Sequence, residues 1–559
     1  MVTETENQDN FITRTFGEDP LKISELPLKV QPDYVRKKGG IWYWTGALIS
    51  IAFIYQVVSG LLLLIYYNPG NPYVSTENII TSVPYGALMS ATHLYGAYAM
   101  IVLIYVHMFR NYFKGAYKKP RQIQWILGVL LLAVTMGVGY YGYSLPGDVL
   151  AYDATDVGRG IAQSIPLFGN YLVSMGFGDG TTTGLFVRAL GLHIILAAVL
   201  GGLFGLHFFL AEANNMMPSN REAKYKAPAM LKDDPSYKPW YPFNFVYMIQ
   251  LGMFTLGFLI LVPSIIALLP NVPALFSPFP GPPPSSPLAL YVPPYPPWFL
   301  LPIYKAVDFF DFTGSFARLN LYGPLLATYF FAIIPLLYFL GLPFIDAKDD
   351  LHPLSKPLIT SFGILSIIYL VILSAWGALT PGVPIPFSEV AVVLGVPFVI
   401  VVAGMYGLNR LHRMGRLKIS IDRVIGSFFA FLAILVVGVI LLSENVSAFM
   451  GNSSMLNLVS TIFTGSVAVF GAAGTMKSAN IVSNSQSSGI PRQRKYFTMR
   501  TGSANVLGLI LVIIVVAITY LMFSLNPVSQ SMEFGVGLGV DLVIGGILVR
   551  IYRLVAYNE

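Results

Sequence analysis

The chain has no cysteine. That excludes disulfides, thiolate metal ligands, cysteine-bound iron–sulfur clusters and covalent c-type haem attachment. Any metal must be held by histidine, oxygen or thioether groups. Charge is scarce too: Asp, Glu, Lys and Arg make up 11% of 559 residues, against about a quarter in soluble domains. With 55% hydrophobic residues and a mean hydropathy of +0.66, the chain reads as an integral membrane protein. The first 40 residues are polar and carry no apolar signal-peptide core.

What the chain does have is a series of apolar runs, each near the roughly 20 residues needed to cross hydrocarbon. They fall at 42–67, 86–109, 123–145, 184–212, 244–269, 321–345, 357–380, 387–407, 424–443, 456–474, 504–524 and 534–549. The expected fold is all-α, a polytopic membrane protein of twelve transmembrane helices. If the N-terminus is inside, the inner segments hold 30 of the 34 Lys and Arg residues; only Arg159, Arg188, Lys305 and Arg318 lie outside or at outer helix ends. Such a bias sets orientation by the positive-inside rule. Both termini are then cytoplasmic in a plasma-membrane protein. The pI of 9.1 follows from this pattern, since the charge is spread over seven inner segments and forms no nucleic-acid surface.

Histidine is also rare, at six residues, yet four of them form two matched sets. His93 and His107 lie fourteen residues apart in the second span, and His193 and His207 fourteen apart in the fourth. On an α-helix that separation rises about 21 Å and comes within about 40° of a whole number of turns. Each helix therefore shows two imidazoles on one face at different depths. Ionisable groups inside a bilayer are costly and mark function by default. The second and fourth spans run the same way, so topology pairs His93 with His193 near the outer face and His107 with His207 near the inner face. Two bis-histidine metal sites are the expectation; packing histidines are the alternative.

Glycines repeat the period. Gly46 and Gly60 in the first span, and Gly128 and Gly142 in the third, are again fourteen apart. Gly46 and Gly128 fall at the inner level, Gly60 and Gly142 at the outer one. Lacking a Cβ, they would let a flat macrocycle approach the backbone; ordinary packing of membrane helices is the other reading.

The stretch His93 to Gly128, HLYGAYAMIVLIYVHMFRNYFKGAYKKPRQIQWILG, resembles the cytochrome b subunit of bc-type quinol-oxidising complexes. Gln56 with Gly60 in YQVVSG, GYSLP at Gly142 to Pro146, IPLFG at Ile165 to Gly169, and Arg188 five residues before His193 extend the likeness, which spans roughly 42–407. The resemblance implies that the four histidines are axial ligands of two haems. These are B-type by family, with A-type compatible with the same ligation, and Arg110 and Arg188 stand by as cofactor-binding groups. It also implies quinol as substrate, oxidised near the outer face, with one electron passed to a Rieske iron–sulfur partner. Pro296-Pro297-Trp298-Phe299 is similar to the family's Pro-Glu-Trp-Tyr motif of the outer pocket, and the segment 145–183 to its surface helices. Trp298, Tyr152 and Asp153 are the catalytic candidates there. A cysteine-free chain with PPWF and four further spans is most similar to the cytochrome b of thermoacidophilic archaeal terminal quinol oxidase assemblies. That narrower likeness implies terminal oxidase subunits as partners besides membrane lipid, and leaves a homodimer open.

Several positions depart from the family pattern. Pro297 and Phe299 replace its glutamate and tyrosine, so the proton acceptor must come from Tyr152, Asp153, Asp308 or Asp311. Gly147 stands where the motif has Trp, and Asp153 where Gly is common. Ser90 replaces an arginine, Ala213 replaces an inner-site histidine, and the acid expected around Gln250–Leu251 is missing, which leaves Asn214 and Asn215 as inner hydrogen-bonding groups. The proline-rich loop 270–320 is not expected to be helical at its centre.

The expected organisation is an inner N-terminal segment (1–41), a diheme four-helix bundle (42–212), a region with the outer pocket loop (213–407), and a four-span extension (408–559) with a docking or stabilising role. In the extension Asp541 is expected to pair within the bundle or with a partner; His352 and His412, in basic inner loops, are expected to be solvated. Two rivals remain. One is a diheme anchor passing electrons between a dehydrogenase and quinone. The other is a proton-coupled transporter, against which stands the lack of an internal repeat.

Overall fold

In a bilayer every backbone N–H and C=O must be satisfied internally, so apolar runs of this length can only be helices. The computed structural model describes residues 29–30, 44–163, 165–214, 238–239, 245–309, 323–346, 350–416, 422–484 and 499–556. Twelve helices among them are long and apolar enough to cross a membrane. The fold is all-α. A two-residue antiparallel pairing of Lys29–Val30 with Lys238–Pro239 is the one strand contact among the described residues, and it sets the N-terminal segment beside the loop after the fourth span.

The first four spans are α1 (Thr45–Leu64), α3 (Gly86–Lys114), α4 (Gln122–Ser144) and α7 (Thr182–Asn214). Short helices α2 (Pro72–Ser82), α5 (Val149–Gln163) and α6 (Gly169–Phe177) lie between them. The fifth span is α8 (Phe245–Ala267), followed by a proline-rich stretch and the surface helix α9 (Leu301–Phe309). That stretch forms no α-helix before Leu301, but a five-residue 3-10 turn, Pro287–Tyr291, does form at its centre. A proline at the first position of so short a turn gives up no needed donor. The sixth span runs through α10 (Gly323–Thr328), a π turn (Tyr329–Ile333) and α11 (Ile334–Ile345). Spans seven to twelve are α12 (Pro357–Leu379), α13 (Phe387–Arg413), α14 (Asp422–Gly451), α15 (Met455–Asn484), α16 (Thr501–Met522) and α17 (Ser531–Ala556). Several helices, such as α3 and α7, extend beyond the apolar runs.

Packing at the inner end of the second, third and sixth spans is aromatic. Phe109, Tyr112, Trp125 and Phe339 share one buried cluster, and the Trp125 indole donates to the Phe339 carbonyl at 2.7 Å. Just beyond it, Asp346 accepts from Tyr117 at 2.6 Å and pairs with Lys118 at 3.1 Å and Lys356 at 2.8 Å. Burial works against the Asp346 anion, but bonds to Lys356 and Tyr117 hold its carboxyl below the usual range. Burial likewise lowers Lys356, to about 8.

One expectation changes here and another is narrowed. His352 and His412 are half-buried and stacked on each other, with ring centroids 4.1 Å apart and planes 11° from parallel. The Leu354 N–H donates to His352 Nδ1 at 3.2 Å, which ties that ring to the short turn after the sixth span. Asp541 pairs inside the chain: the Thr519 hydroxyl of α16 donates to its Oδ2 at 2.9 Å. Asp311, Arg318 and Asn215 lie outside the described residues.

Candidate functional site

Four helices bring the histidines together in the expected pairs. His93 faces His193 with ring centroids 6.4 Å apart, and His107 faces His207 at 6.5 Å. An imidazole nitrogen sits about 2 Å from a metal it ligates, and the ring centre about 1 Å farther, so two trans ligands should hold their centroids about 6 Å apart. Both pairs have the span for one metal ion between them. Two imidazoles are only two ligands. No cluster of three or more His, Asp or Glu suited to a metal exists among the described residues. The donor set suits a metal that brings its other ligands with it, as iron does in a porphyrin.

Each ring is aimed by its second nitrogen. In α7, His193 Nδ1 meets the Val138 carbonyl at 2.9 Å and His207 Nδ1 meets the Gln124 carbonyl at 3.0 Å. A carbonyl only accepts, so Nδ1 carries the proton and Nε2 keeps its lone pair. In α3, His93 Nδ1 lies 2.8 Å from the Ser59 hydroxyl and His107 Nδ1 lies 2.9 Å from the Thr45 hydroxyl. Ser59 spends its hydrogen on the Tyr55 carbonyl at 2.7 Å, so it accepts from His93. At the inner level the Asn111 amide donates to His107 Nε2 at 3.0 Å, which shows that this nitrogen also offers its lone pair.

Thr45 and Ser59 were not singled out from the sequence, yet the signal was present. They are fourteen residues apart, and each directly precedes one of the spaced glycines.

The four glycines sort by level as expected, but their immediate neighbours are the rings themselves. A Cβ on Gly142 would lie 2.8 Å from His193 Cε1, on Gly60 3.1 Å from His93 Cε1, on Gly128 3.2 Å from His207 Cε1, and on Gly46 3.6 Å from His107 Cε1. In α4 each carbonyl that holds a ring belongs to the residue four before the glycine, so the bare turn exposes it. The inner pair opens on a partly open cavity lined mainly by apolar groups, including Phe53, Met100, Leu200 and Phe204, together with Gly46 and Gly128. The charged candidates are less decided. Arg110 is half-buried one turn inward of His107. Arg188 is exposed, and its Nη1 donates back to the Gly184 carbonyl at 3.1 Å.

On the outer side the proline-rich loop returns to the bundle. Trp298 meets Tyr98 edge-on at 5.8 Å, and Phe299 is buried against Gly139, where a Cβ would sit 2.8 Å from its Cζ. Tyr152 packs edge-on to Phe186 at 5.5 Å. Asp153 is half-buried, and burial together with Asp156 raises its carboxyl above the ordinary value. Asp308 is engaged elsewhere, in an ion pair at 2.9 Å with the buried Lys305, which also donates to the Thr380 and Val383 carbonyls.

The sequence did not rank Asp148, but the structure makes it central. It is buried, caps α5 through the Ala151 N–H at 2.9 Å, and receives the Gly281 N–H of the proline-rich loop at 2.6 Å. Burial raises its carboxyl, and the two N–H bonds oppose that shift. Gly147 just before it has φ +67 and a Cβ there would lie 2.8 Å from Pro72, which accounts for the missing large side chain. On the inner side Asn214 is already used: its carbonyl accepts from Arg121 at 2.9 Å and its amide donates to the Gln124 side chain at 3.3 Å.

The family model described as cytochrome b (N-terminal)/b6/petB matches residues 98–283. A cytochrome b of Sulfolobus acidocaldarius is 35% identical over 551 residues, covering 95% of this chain and 96% of the relative. The menaquinol:cytochrome c reductase cytochrome b subunit of Geobacillus thermodenitrificans is 38% identical over 191 residues, 33% of this chain and 84% of the relative. A solved structure described as a hyperthermophilic respiratory Complex III shares the fold, with a TM-score of 0.50 and 22% identity over 69% of this chain and 98% of that one.

Proposed function

Since the chain belongs to the cytochrome b family of respiratory electron-transport proteins, we propose that it is a diheme subunit that oxidises quinol near the outer face. In this reading it works with a Rieske iron–sulfur protein and carries electrons inward across the membrane. The observation that carries it is the pair of 6.4 Å and 6.5 Å histidine separations, stacked fourteen residues apart on parallel helices.

When bound, the haems supply the one-electron chemistry; the chain supplies ligands, depth and surroundings. His93 and His193 would hold the outer group, His107 and His207 the inner one. Their Nδ1 partners fix the tautomer and orient the rings. The helical rise between the levels is about 21 Å. Moving one charge inward against 100 mV takes about 2.3 kcal/mol, so an electron driven that way stores energy.

Quinol oxidation releases two protons. Asp153, whose carboxyl is raised by burial and by Asp156, is the acceptor this reading favours, with Trp298 and Tyr152 as the other outer-side groups, because a base works best with a pKa nearer the operating pH. The protein is multi-pass, and the basic bias supports both termini inside. Terminal oxidase subunits are the further partners this reading implies, and the four segments 1–41, 42–212, 213–407 and 408–559 are its working divisions.

A redox-titrated absorption spectrum with pyridine-haem extraction tests the proposal. Two low-spin centres per chain are expected; one centre or none rejects it. A diheme anchor without a Rieske partner has Pro297 and Phe299 in its favour, since both polar groups of the outer motif are gone. Co-purification of an iron–sulfur subunit decides between the two.

A further inference from the structure

The last helix is built into the redox bundle. α17 runs along α8 so closely that a Cβ on Gly257 would sit 3.1 Å from the Gly539 carbonyl oxygen; small residues permit such approach in membranes. At its inner end α17 buries Arg553, which is 4% exposed. Its Nη1 donates to Gln250 Oε1 at 2.9 Å, and the guanidinium lies 4.4 Å from the centre of the Tyr247 ring. Tyr247 packs 4.6 Å from Trp44, and Trp44 directly precedes Thr45, whose hydroxyl holds His107. A continuous line of contacts therefore runs from a charged side chain of the extension to one ligand of the inner pair.

We propose that Arg553 is a positioning residue for the inner level: it fixes a positive charge beside it and raises the reduction potential of a centre held by His107 and His207. A cation near a redox centre stabilises the added electron, while the outer level, farther away, feels the charge less. Transfer from outer to inner becomes more favourable. The twelfth span then contributes to the driving force of the step as well as to packing. This inference rests on the diheme reading above.

The test is a redox titration of the assembled haem-loaded complex, following the two centres separately. Arg553→Gln should lower the inner midpoint alone. The outer-to-inner equilibrium should fall several-fold, because the charge acts more strongly on the nearer level. Arg553→Lys, which keeps the charge, should stay near wild type. Should Arg553→Gln fail to assemble, Gln250→Glu gives the same answer: a near-isosteric carboxylate beside the guanidinium cancels its field and lowers the same midpoint. An unchanged inner midpoint in either variant overturns the proposal, as does an equal shift of both centres. A wild-type complex with fewer than two centres overturns the diheme reading instead.

Discussion

The outer and inner histidine pairs are close to copies of one another. Their ring separations differ by a tenth of an ångström, and their interplanar angles are 69° and 73°. Each takes one ring steadied by a hydroxyl of α1 and one steadied by a carbonyl of α4. Around that shared core the two levels diverge. The outer one is closed by surface helices and a proline-rich loop whose aromatic groups reach into the bundle. At the inner one, Arg110 is half-buried one turn from His107, and the buried Arg121 donates to the Asn214 carbonyl at the end of α7. If each pair holds a haem, equal ligation cannot by itself make an electron prefer one level, and the direction of transfer would come from what surrounds the ligands.

The harshest way to break the likeness is to remove ligands. His93→Ala or His193→Ala should abolish the outer centre and leave the inner one titrating; His107→Ala or His207→Ala should do the reverse, read in reduced-minus-oxidised spectra. Loss of the same centre in His93→Ala and His207→Ala would contradict the pairing.

A glycine series comes next in size. The Cβ of Gly142→Ala would press 2.8 Å from His193 Cε1 and 3.1 Å from its Nδ1, pushing the ring off the Val138 carbonyl, whereas Gly46→Ala adds an ordinary 3.6 Å contact. Losing such an orienting bond typically costs a factor of about 10–100 in metal-site affinity or activity. Gly142→Ala should therefore strip much of the outer haem while Gly46→Ala leaves the inner haem intact, with Gly60→Ala and Gly128→Ala between them. Haem-to-protein ratios in purified complexes measure the order.

The scaffold of these sites was legible because it obeys periodicity. Twelve apolar lengths, the charge bias and a fourteen-residue repeat all survive as one-dimensional patterns. Contacts between segments far apart in sequence do not. Nothing near Asp148 announces that Gly281, more than a hundred residues on, will donate to it. Nor could the sequence bring Arg553 of the last helix to Gln250, where an acid was looked for and not found. His352 and His412 looked like loop residues because only the fold stacks them. Thr45 and Ser59 are the intermediate case: their spacing was readable, but a hydroxyl matters only once a ring nitrogen is seen beside it.

Asp148 offers a change confined to the outer side. Asparagine can accept from one of the two N–H donors but must turn its own amide toward the other, so one bond is lost at a cost of about 1–3 kcal/mol. Asp148→Asn should loosen the proline-rich loop and raise the KM for quinol while both midpoints hold. It also has a pH signature. Burial raises the folded-state pKa of Asp148 above the ordinary carboxyl value of 3.8, so the folded chain binds that proton more tightly than the unfolded one. The resulting stability is present in acid and is lost as pH rises from the unfolded value through the folded one. Denaturation of the variant should lack this decline.

The smallest effect separates the levels most finely. Ser59 and Thr45 are both buried, and each lies against the Nδ1 of an α3 histidine. Accepting from Nδ1–H makes an imidazole a stronger donor at Nε2 and so favours the oxidised metal. Ser59→Ala should therefore raise the outer midpoint, and Thr45→Val the inner one. A single net hydrogen bond contributes about 0.5–1.5 kcal/mol, which bounds each shift to roughly a ten-fold change in equilibrium. Because the levels sit in series, the same chemical deletion has opposite consequences. Raising the outer midpoint narrows the gap that drives the electron inward, and raising the inner one widens it. Flash-induced reduction of the inner centre should be less complete in Ser59→Ala and more complete in Thr45→Val. If both variants moved it in one direction, the hydroxyls would be packing groups, and the tuning of each level would rest on its charged neighbours alone.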